Sequence, residues 1–245
     1  MNSLHVRIKS RHTVGFLCAE MYTSTMLKNL SFKQVLFAVL GVLLTVLTFT
    51  DMPQSIEFAC WMFGLAFTSS FQKFFSRFPA IWAFFMVGFG VGLLTELGAI
   101  LGSLSIPAGE RVLLAQDPVT DLLFGVFYYG LLMLTWVWLV RRYSYGPKEI
   151  FFITGLLGLA TEEVGQVFLR FITNPISNLP YTLIVMSVYG IFPYLAALFT
   201  AGRIRSKYPS AGWLKRFFVA AFALFIFIAV FGNFLLPPLR EIFGS

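Results

Sequence analysis

Seven apolar stretches, separated by short polar segments, follow one another along this chain from residue 32. A helix needs about 20 mainly apolar residues to cross the hydrocarbon core of a bilayer. Most of the stretches approach or exceed that length, and the second is the shortest. They lie approximately at residues 32–50, 56–71, 80–105, 122–140, 150–171, 181–201 and 217–236. The pattern predicts an all-α, polytopic integral membrane protein with about seven transmembrane helices.

Composition supports a membrane protein and argues against nucleic-acid binding. The chain is 58% hydrophobic and only 12% charged, whereas about a quarter of the residues in a soluble domain are charged. The net charge is +7, but the basic residues lie in the short segments between the apolar stretches. No basic surface interleaved with aromatic residues remains to follow a phosphate backbone. We therefore expect a lipid bilayer, and not nucleic acid, as the partner.

The chain divides by composition into two regions. Residues 1–30 form a basic, polar tail that is expected in the cytoplasm, and residues 31–245 form a single seven-helix membrane domain. Met21 and Met26 are alternative starts to Met1, because nothing before them is typical of a folded element. The segment that begins at Met26 resembles a signal peptide, but no cleavage site of small residues follows its apolar run. It is predicted to remain as the first span.

The lysines and arginines predict the orientation. With seven crossings and a cytoplasmic N-terminus, all but Arg111, Arg170 and Arg240 of the 18 Lys and Arg residues fall on the cytoplasmic side. This distribution matches the excess of positive charge in the cytoplasmic loops of membrane proteins. We expect a multi-pass protein of the cell membrane with its N-terminus inside and its C-terminus outside. The acids predicted on the exterior side are Asp51, Glu110, Asp117, Asp121 and Glu241.

Four glutamates lie within the apolar stretches, where an ionised side chain is costly. Glu96 is in the third stretch, Glu162 and Glu163 are in the fifth, and Glu57 begins the second at its outer end. A charged side chain at the centre of a bilayer helix costs about 2.5 to 3.5 kcal/mol, and such residues face a bundle interior or a wet cavity. Their positions predict a carboxylate-lined site in the outer half of the bilayer.

A short sequence recurs around two of these glutamates. Residues 92–96 read GLLTE, and residues 158–162 read GLATE. In the next stretch each copy is followed by a Tyr-Gly pair that begins at Tyr129 or Tyr189, and both tyrosines are candidate site residues. Parallel repeats are one way in which transport proteins place a site between two copies. Two interpretations of the match are open. Stretches 3–4 and 5–6 are such a repeat, or the match arises because these residues are common in membrane helices.

Helical spacing assigns the polar residues to faces. Two glycines precede Glu96 at intervals of four, so Glu96 shares the face on which helices approach closely. In the fifth stretch Glu162, Gln166 and Arg170 follow one another at the same interval, so we expect Arg170 to neutralise Glu162. That ion pair is a purely structural alternative to a functional site, but it leaves Glu163 and Glu96 without a cation. Protonation, a bound cation or a wet cavity has to resolve the excess charge.

The candidate site lacks the ligands of soft metals. His5 and His12 lie in the tail, and Cys18 and Cys60 are far apart and form no metal-ligand spacing. Sites made only of carboxylates suit hard cations or protons. We therefore expect no metal centre and no cofactor, and a hard cation or a proton as the ligand of the acids.

Two families have related motifs. The Glu162-Glu163 pair resembles the double glutamate of the CAAX-type intramembrane proteases, but this chain has Val167 where that motif has an arginine, and it has no histidine in its apolar stretches. That activity is therefore rejected. Residues 92–98 and 124–129 look similar to the glycine- and tyrosine-rich segments of small membrane carotenoid cyclases and hydratases. This resemblance implies acid catalysis by glutamates on a polyene lipid.

Three functions are compatible with these features. The first is cation- or proton-linked transport through the carboxylate site. The second is an intramembrane enzyme that uses a protonated Glu96 or Glu162 as an acid on a double bond of a prenyl or polyene lipid. The third is a non-catalytic assembly subunit whose acids pair with the basic groups of a partner. The identity of the cargo or substrate and the oligomeric state stay open.

Overall fold

A computed structural model of the chain describes residues 31–50, 52–104, 115 and 117–243. Of these residues, 86% are helical and none forms a strand, which confirms the all-α prediction. The predicted tail, residues 1–30, lies outside the described residues, and so do Asp51, Glu110 and Arg111.

The helices are numbered in chain order over the described residues. They are α1 (Phe32–Thr50), α2 (Ile56–Ala66), α3 (Thr68–Phe75), α4 (Ala80–Ser103), α5 (Pro118–Arg142), α6 (Pro147–Thr161), α7 (Gln166–Thr173), α8 (Pro175–Phe199), α9 (Trp213–Val230) and α10 (Leu236–Phe243). Short 3-10 turns cover Pro53–Ser55 and Glu162–Gly165, and a π-helical segment, Phe231–Leu235, joins α9 to α10.

Five helical segments are long and apolar enough to cross a membrane: α1, α4, α5, α8 and the joined segment Trp213–Phe243. A sixth candidate is the pair α6 and α7, which is bent by 97°. The second predicted stretch forms two short helices, because the backbone of Phe67 (φ −114°, ψ 28°) leaves the helical conformation between α2 and α3. The described residues therefore contain five or six long apolar helices.

Helix α8 occupies the centre of the bundle. It packs against α4 and α6 and also contacts α2, α3 and α7. Of the residues in its most apolar stretch, 56% are buried, compared with 11% in α1. Large side chains fill the space around it, and those of Trp136, Phe84 and Phe192 are almost completely buried. Helix α1, which packs mainly against α2, lies at the edge.

Polar contacts join several loops at one end of the bundle. The guanidinium of Arg203 donates to the carbonyl oxygens of Phe75 at 3.0 Å and Phe78 at 2.6 Å. The backbone N–H of Lys207 donates to the carbonyl oxygen of Arg141 at 2.9 Å. Arg216 donates to Glu149 Oε1 at 2.7 Å. The α3–α4, α5–α6 and α8–α9 loops, which carry many of the basic residues, therefore lie together.

The opposite end of the bundle carries acidic residues at helix starts. Asp117 caps α5 by accepting a hydrogen bond from the backbone N–H of Thr120 at 2.8 Å, next to Pro118 in the first helical position. That bond holds the pKa of Asp117 below its usual range. Helix α5 therefore starts four residues before the apolar stretch predicted at 122–140, and the extension includes Asp121.

Glycines set how closely α4 approaches α5. A β-carbon built on Gly92 would lie 2.4 Å from Tyr129 Cδ1, so the tyrosine ring rests on the bare backbone of α4. One turn farther along α4 the roles reverse. The side chain of Glu96 crosses Gly125 of α5, where a built β-carbon would lie 2.8 Å from Glu96 Cγ. Small residues thus allow the close helix contact that membrane bundles use in place of hydrophobic attraction.

Helices α6 and α8 approach each other in the same way. A β-carbon on Gly158 would lie 2.4 Å from two ring atoms of Tyr189, and one on Gly155 would lie 2.9 Å from the backbone oxygen of Met186. The glycine of each GLxTE sequence therefore packs on the tyrosine of the Tyr-Gly pair that follows it.

Replacing Gly92 by alanine should destabilise the protein. The new methyl group would collide with the inner part of the buried Tyr129 ring, and overpacking of this kind costs about 1–3 kcal/mol. Gly90→Ala on the same helix is the matched control, because no atom lies within 4 Å of its built β-carbon. Thermal unfolding in detergent measures both variants. We expect a lower melting temperature for Gly92→Ala and no loss for Gly90→Ala, and equal effects would contradict this packing.

Candidate functional site

Glu162, the glutamate of the second GLxTE sequence, forms a hydrogen bond with Tyr189, the tyrosine of the Tyr-Gly pair that follows it. The hydroxyl of Tyr189 donates to Glu162 Oε2 at 2.6 Å. This length lies within the usual range of an O–H···O hydrogen bond. Gly158 makes the bond possible, because the ring of Tyr189 can lie flat against α6 only where that helix has no side chain.

The glutamate of the first copy has a matching environment. Glu96 is half-buried on α4 and lies beside the hydroxyl of Tyr129 and the carboxyl group of Asp121. Its side chain reaches them by passing over Gly125. In both copies the glutamate follows the glycine by four residues and meets the tyrosine that packs on that glycine.

Three tyrosines lie near the two glutamates. Tyr128 and Tyr189 each lie close enough to interact electrostatically with both Glu96 and Glu162. The rings of Tyr128 and Tyr129 are 5.2 Å apart and nearly perpendicular. The structure therefore brings Glu96, Glu162, Tyr129 and Tyr189, all predicted from the sequence, to one interior region. We call these residues, together with Tyr128, the tyrosine–glutamate cluster.

Asp121 belongs beside this cluster, although the sequence analysis placed it in an exterior loop. It is completely buried in the first turn of α5. Its Oδ1 accepts the backbone N–H of Ala115 at 2.9 Å, and its Oδ2 has no hydrogen-bond partner among the described residues. Its position could have been predicted from the sequence. Asp121, Gly125 and Tyr129 follow one another at intervals of four, which places all three on the face of α5 that meets α4.

Glu57 is also buried, in the first turn of α2. It is 1% exposed, and neither carboxylate oxygen has a hydrogen-bond partner among the described residues. Thr95 of α4 is a polar side chain close to it, and the Thr95 hydroxyl donates to the carbonyl oxygen of Val91 at 3.1 Å. A buried carboxyl group without a cation or a donor is stable only in its neutral form.

The predicted ladder from Glu162 through Gln166 to Arg170 is wrong. Arg170 forms its ion pair with Glu163, which also accepts a hydrogen bond from Tyr181 at 3.2 Å. A spacing of four places side chains on one face only in an unbroken helix, and α6 ends at Thr161.

The break has a clear conformational cause. Glu163 has a φ of 47° and Gly165 a φ of 80°, both in the left-handed region. The chain turns there by 97° into α7, and the side chains after the turn leave the face of α6. Gln166, at the start of α7, is exposed.

The Glu163–Arg170 pair is a surface feature. The side chain of Arg170 is 47% exposed and that of Glu163 is 40% exposed. Exposed ion pairs contribute only about 0.2–1 kcal/mol. Glu163, Gln166 and Arg170 are therefore separated from the tyrosine–glutamate cluster, in contrast to the expectation that all the embedded acids share one site.

The cluster has the chemistry of proton exchange. A tyrosine hydroxyl both donates and accepts hydrogen bonds, and a carboxyl group binds one proton. Each glutamate meets its own tyrosine, and within the described residues no group of three His, Cys, Asp or Glu side chains is placed to hold a metal ion. Within the cluster, the hydrogen bond from Tyr189 to Glu162 joins one such hydroxyl to one such carboxyl group.

Comparison with known proteins does not assign the chain to a family. No protein-family model matches the sequence, and no curated protein or solved structure matches it. Function therefore has to be argued from the site alone.

Proposed function

We propose that this chain is a multi-pass membrane transporter in which the tyrosine–glutamate cluster binds the proton that drives, or is, the cargo. The observation that carries the proposal is the 2.6 Å hydrogen bond from Tyr189 to Glu162, and Glu96 lies near Tyr129 in the other helix pair. Tyr128 is close enough to both glutamates to interact with them electrostatically. Proton relays of acidic side chains within the membrane are typical of pumps and transporters.

The α4–α5 and α6–α8 pairs are proposed to be parallel repeats. In both, a glycine of the first helix packs on a tyrosine of the second, and the glutamate four residues later meets that tyrosine. Transport folds often place their site between two such copies. Rocking of one pair against the other would then expose the cluster to one side of the membrane at a time.

The proposed topology has seven crossings. Helix α2 begins with Glu57 beside Thr95, which lies in the second half of α4. Helix α3 reaches the C-terminal end of α8, where Gln72 Nε2 donates to the carbonyl oxygen of Leu198 at 2.8 Å. Helices α2 and α3 are proposed to form one bent crossing, and α6 with α7 another. The basic loops then face the cytoplasm, as the positive-inside rule requires, and the site lies in the outer half of the bilayer of the cell membrane.

Reporter fusions test this topology. A reporter in the α8–α9 loop near Ser206 should read cytoplasmic, because the basic loops gather at that end, and one fused after Ser245 should read exterior. Alkaline phosphatase and green fluorescent protein fusions give opposite signals on the two sides and control for expression. A cytoplasmic reading after Ser245 would mean that one of the two bent segments does not cross, and would contradict the seven-crossing proposal.

Proton movement tests the function. Purified protein in liposomes that contain a pH-sensitive dye is exposed in turn to alkali cations and small organic solutes. With the wild-type protein, at least one of these cations or solutes should change the internal pH. Glu162→Gln and Glu96→Gln should reduce that change by tenfold or more, because an amide cannot release a proton. Tyr189→Phe should reduce it too, since the relay loses a hydroxyl.

Glu163→Gln is the matched control for the transport assay, because Glu163 is exposed and paired with Arg170 outside the cluster. It should transport as well as the wild type. Wild-type transport by Glu96→Gln and Glu162→Gln would overturn the proposal. The third expectation, an assembly subunit, would then be the best supported of the three.

A second candidate function is supported by the aromatic surroundings of Tyr128. Its ring lies 5.3 Å from those of Phe227 and Phe231, so its hydroxyl-bearing ring adjoins both the acids and an apolar wall. An intramembrane enzyme that protonates a prenyl or polyene lipid would need such a boundary. Lipid extracts from expressing cells distinguish the two functions, because only an enzyme would yield a product that disappears in Glu96→Gln.

A further inference from the structure

An open, apolar groove lies between α5 and α9. Its volume is about 490 Å³, within the range of about 300–1,000 Å³ that is usual for small-molecule sites. Leu134 and Trp138 of α5 and Ile226 and Val230 of α9 line it and remain 42–53% exposed. Ala223 leaves room in its wall. The groove is long, open and apolar, which suits a hydrocarbon chain.

One end of the groove meets a group of basic side chains. The guanidinium of Arg142 lies 4.6 Å from the centroid of the Trp138 ring. Arg141 is its neighbour, and the backbone N–H of Lys207 donates to the Arg141 carbonyl oxygen, while the Lys207 ammonium lies 5.3 Å from the centroid of the Tyr208 ring. Lys215 is exposed at the start of α9. In the described part of the chain, none of these four cations forms an ion pair with an acid.

The stacking of Arg142 prepares it for a phosphate. A guanidinium that lies over an indole uses its face for the aromatic contact, and its N–H groups point outward in their own plane. Arg142 is one helical turn beyond Trp138, about 6 Å along α5 at 1.5 Å per residue. A phosphate held there would be at the level of the lipid headgroups, where Trp and basic side chains are enriched.

We propose that this groove is a binding site for an anionic glycerophospholipid, with one acyl chain between α5 and α9 and the phosphate on Arg142, Arg141 and Lys207. Charge selects the occupant: the site offers three cations and no acid, so a headgroup with a net negative charge gains more than a zwitterionic one that carries its own cation. The proposal is independent of the transport proposal, because it uses neither glutamate.

Native mass spectrometry of the detergent-purified protein tests the site with phosphatidylglycerol and phosphatidylcholine that have identical acyl chains. We expect one phosphatidylglycerol to bind at least tenfold more tightly than phosphatidylcholine. Arg142→Ala should reduce this preference about tenfold, as loss of a charged hydrogen-bond donor predicts. Ala223→Phe should abolish binding by filling the groove. The ratio of the two lipids is measured within each variant, so a general loss of stability cancels.

Two control variants match these changes. Arg77→Ala removes an exposed cation from the α3–α4 loop, which does not line the groove. Ala221→Phe adds the same bulk to α9 next to Phe218 and Phe222, which are 65% and 66% exposed. Both should bind like the wild type. Equal binding of the two lipids, or equal losses in Arg77→Ala and Arg142→Ala, would overturn the proposal. Inorganic phosphate that displaces the lipid-dependent signal would also overturn it, because the headgroup alone would then account for binding.

Discussion

The contact of a tyrosine ring with a bare glycine determines where the polar groups of this bundle lie. Gly92 and Gly158 bring the rings of Tyr129 and Tyr189 onto the backbone of the neighbouring helix. A ring in that position directs its hydroxyl along the helix by about one turn, which is where Glu96 and Glu162 stand. Without the two glycines the helices would separate, and Glu162 would lose the hydroxyl donor that stabilises its partly buried carboxyl group.

The backbone follows different paths after the two copies of this arrangement. After Glu96 the helix goes on to Ser103, and Glu96 meets Asp121 of the facing helix. After Thr161 the second helix stops, and the left-handed residues Glu163 and Gly165 turn the chain into α7. The first copy therefore has a second buried acid, and the second copy has an exposed ion pair.

Much of the fold could be predicted from the sequence, because lipid tolerates only long apolar helices. The prediction failed where the backbone changes direction. The predicted spans run unbroken through Phe67 and through residues 162–165, and the hydropathy pattern does not indicate that the helix is interrupted at either place. The expected pairing of Glu162 with Arg170 depended on an unbroken helix, and for that reason it was wrong. Glu96 was placed correctly on a glycine-bearing face, because α4 is regular throughout. Asp121 was missed because the apolar stretch was started at residue 122, whereas the cap Asp117 and the following Pro118 show that the helix begins earlier.

The central claim is that Glu96 and Glu162, from different helix pairs, face one interior through shared tyrosines. A double-mutant cycle on thermal stability tests it directly, with Glu96→Gln and Glu162→Gln alone and combined, and with Glu96→Gln and Glu163→Gln as the reference cycle. Distant sites without shared partners add to within about 0.3–0.5 kcal/mol, whereas residues in one network deviate by about 0.5–3 kcal/mol. We predict a coupling energy above about 0.5 kcal/mol for the Glu96–Glu162 cycle and additivity for the reference. Additive effects in both cycles would contradict a shared interior.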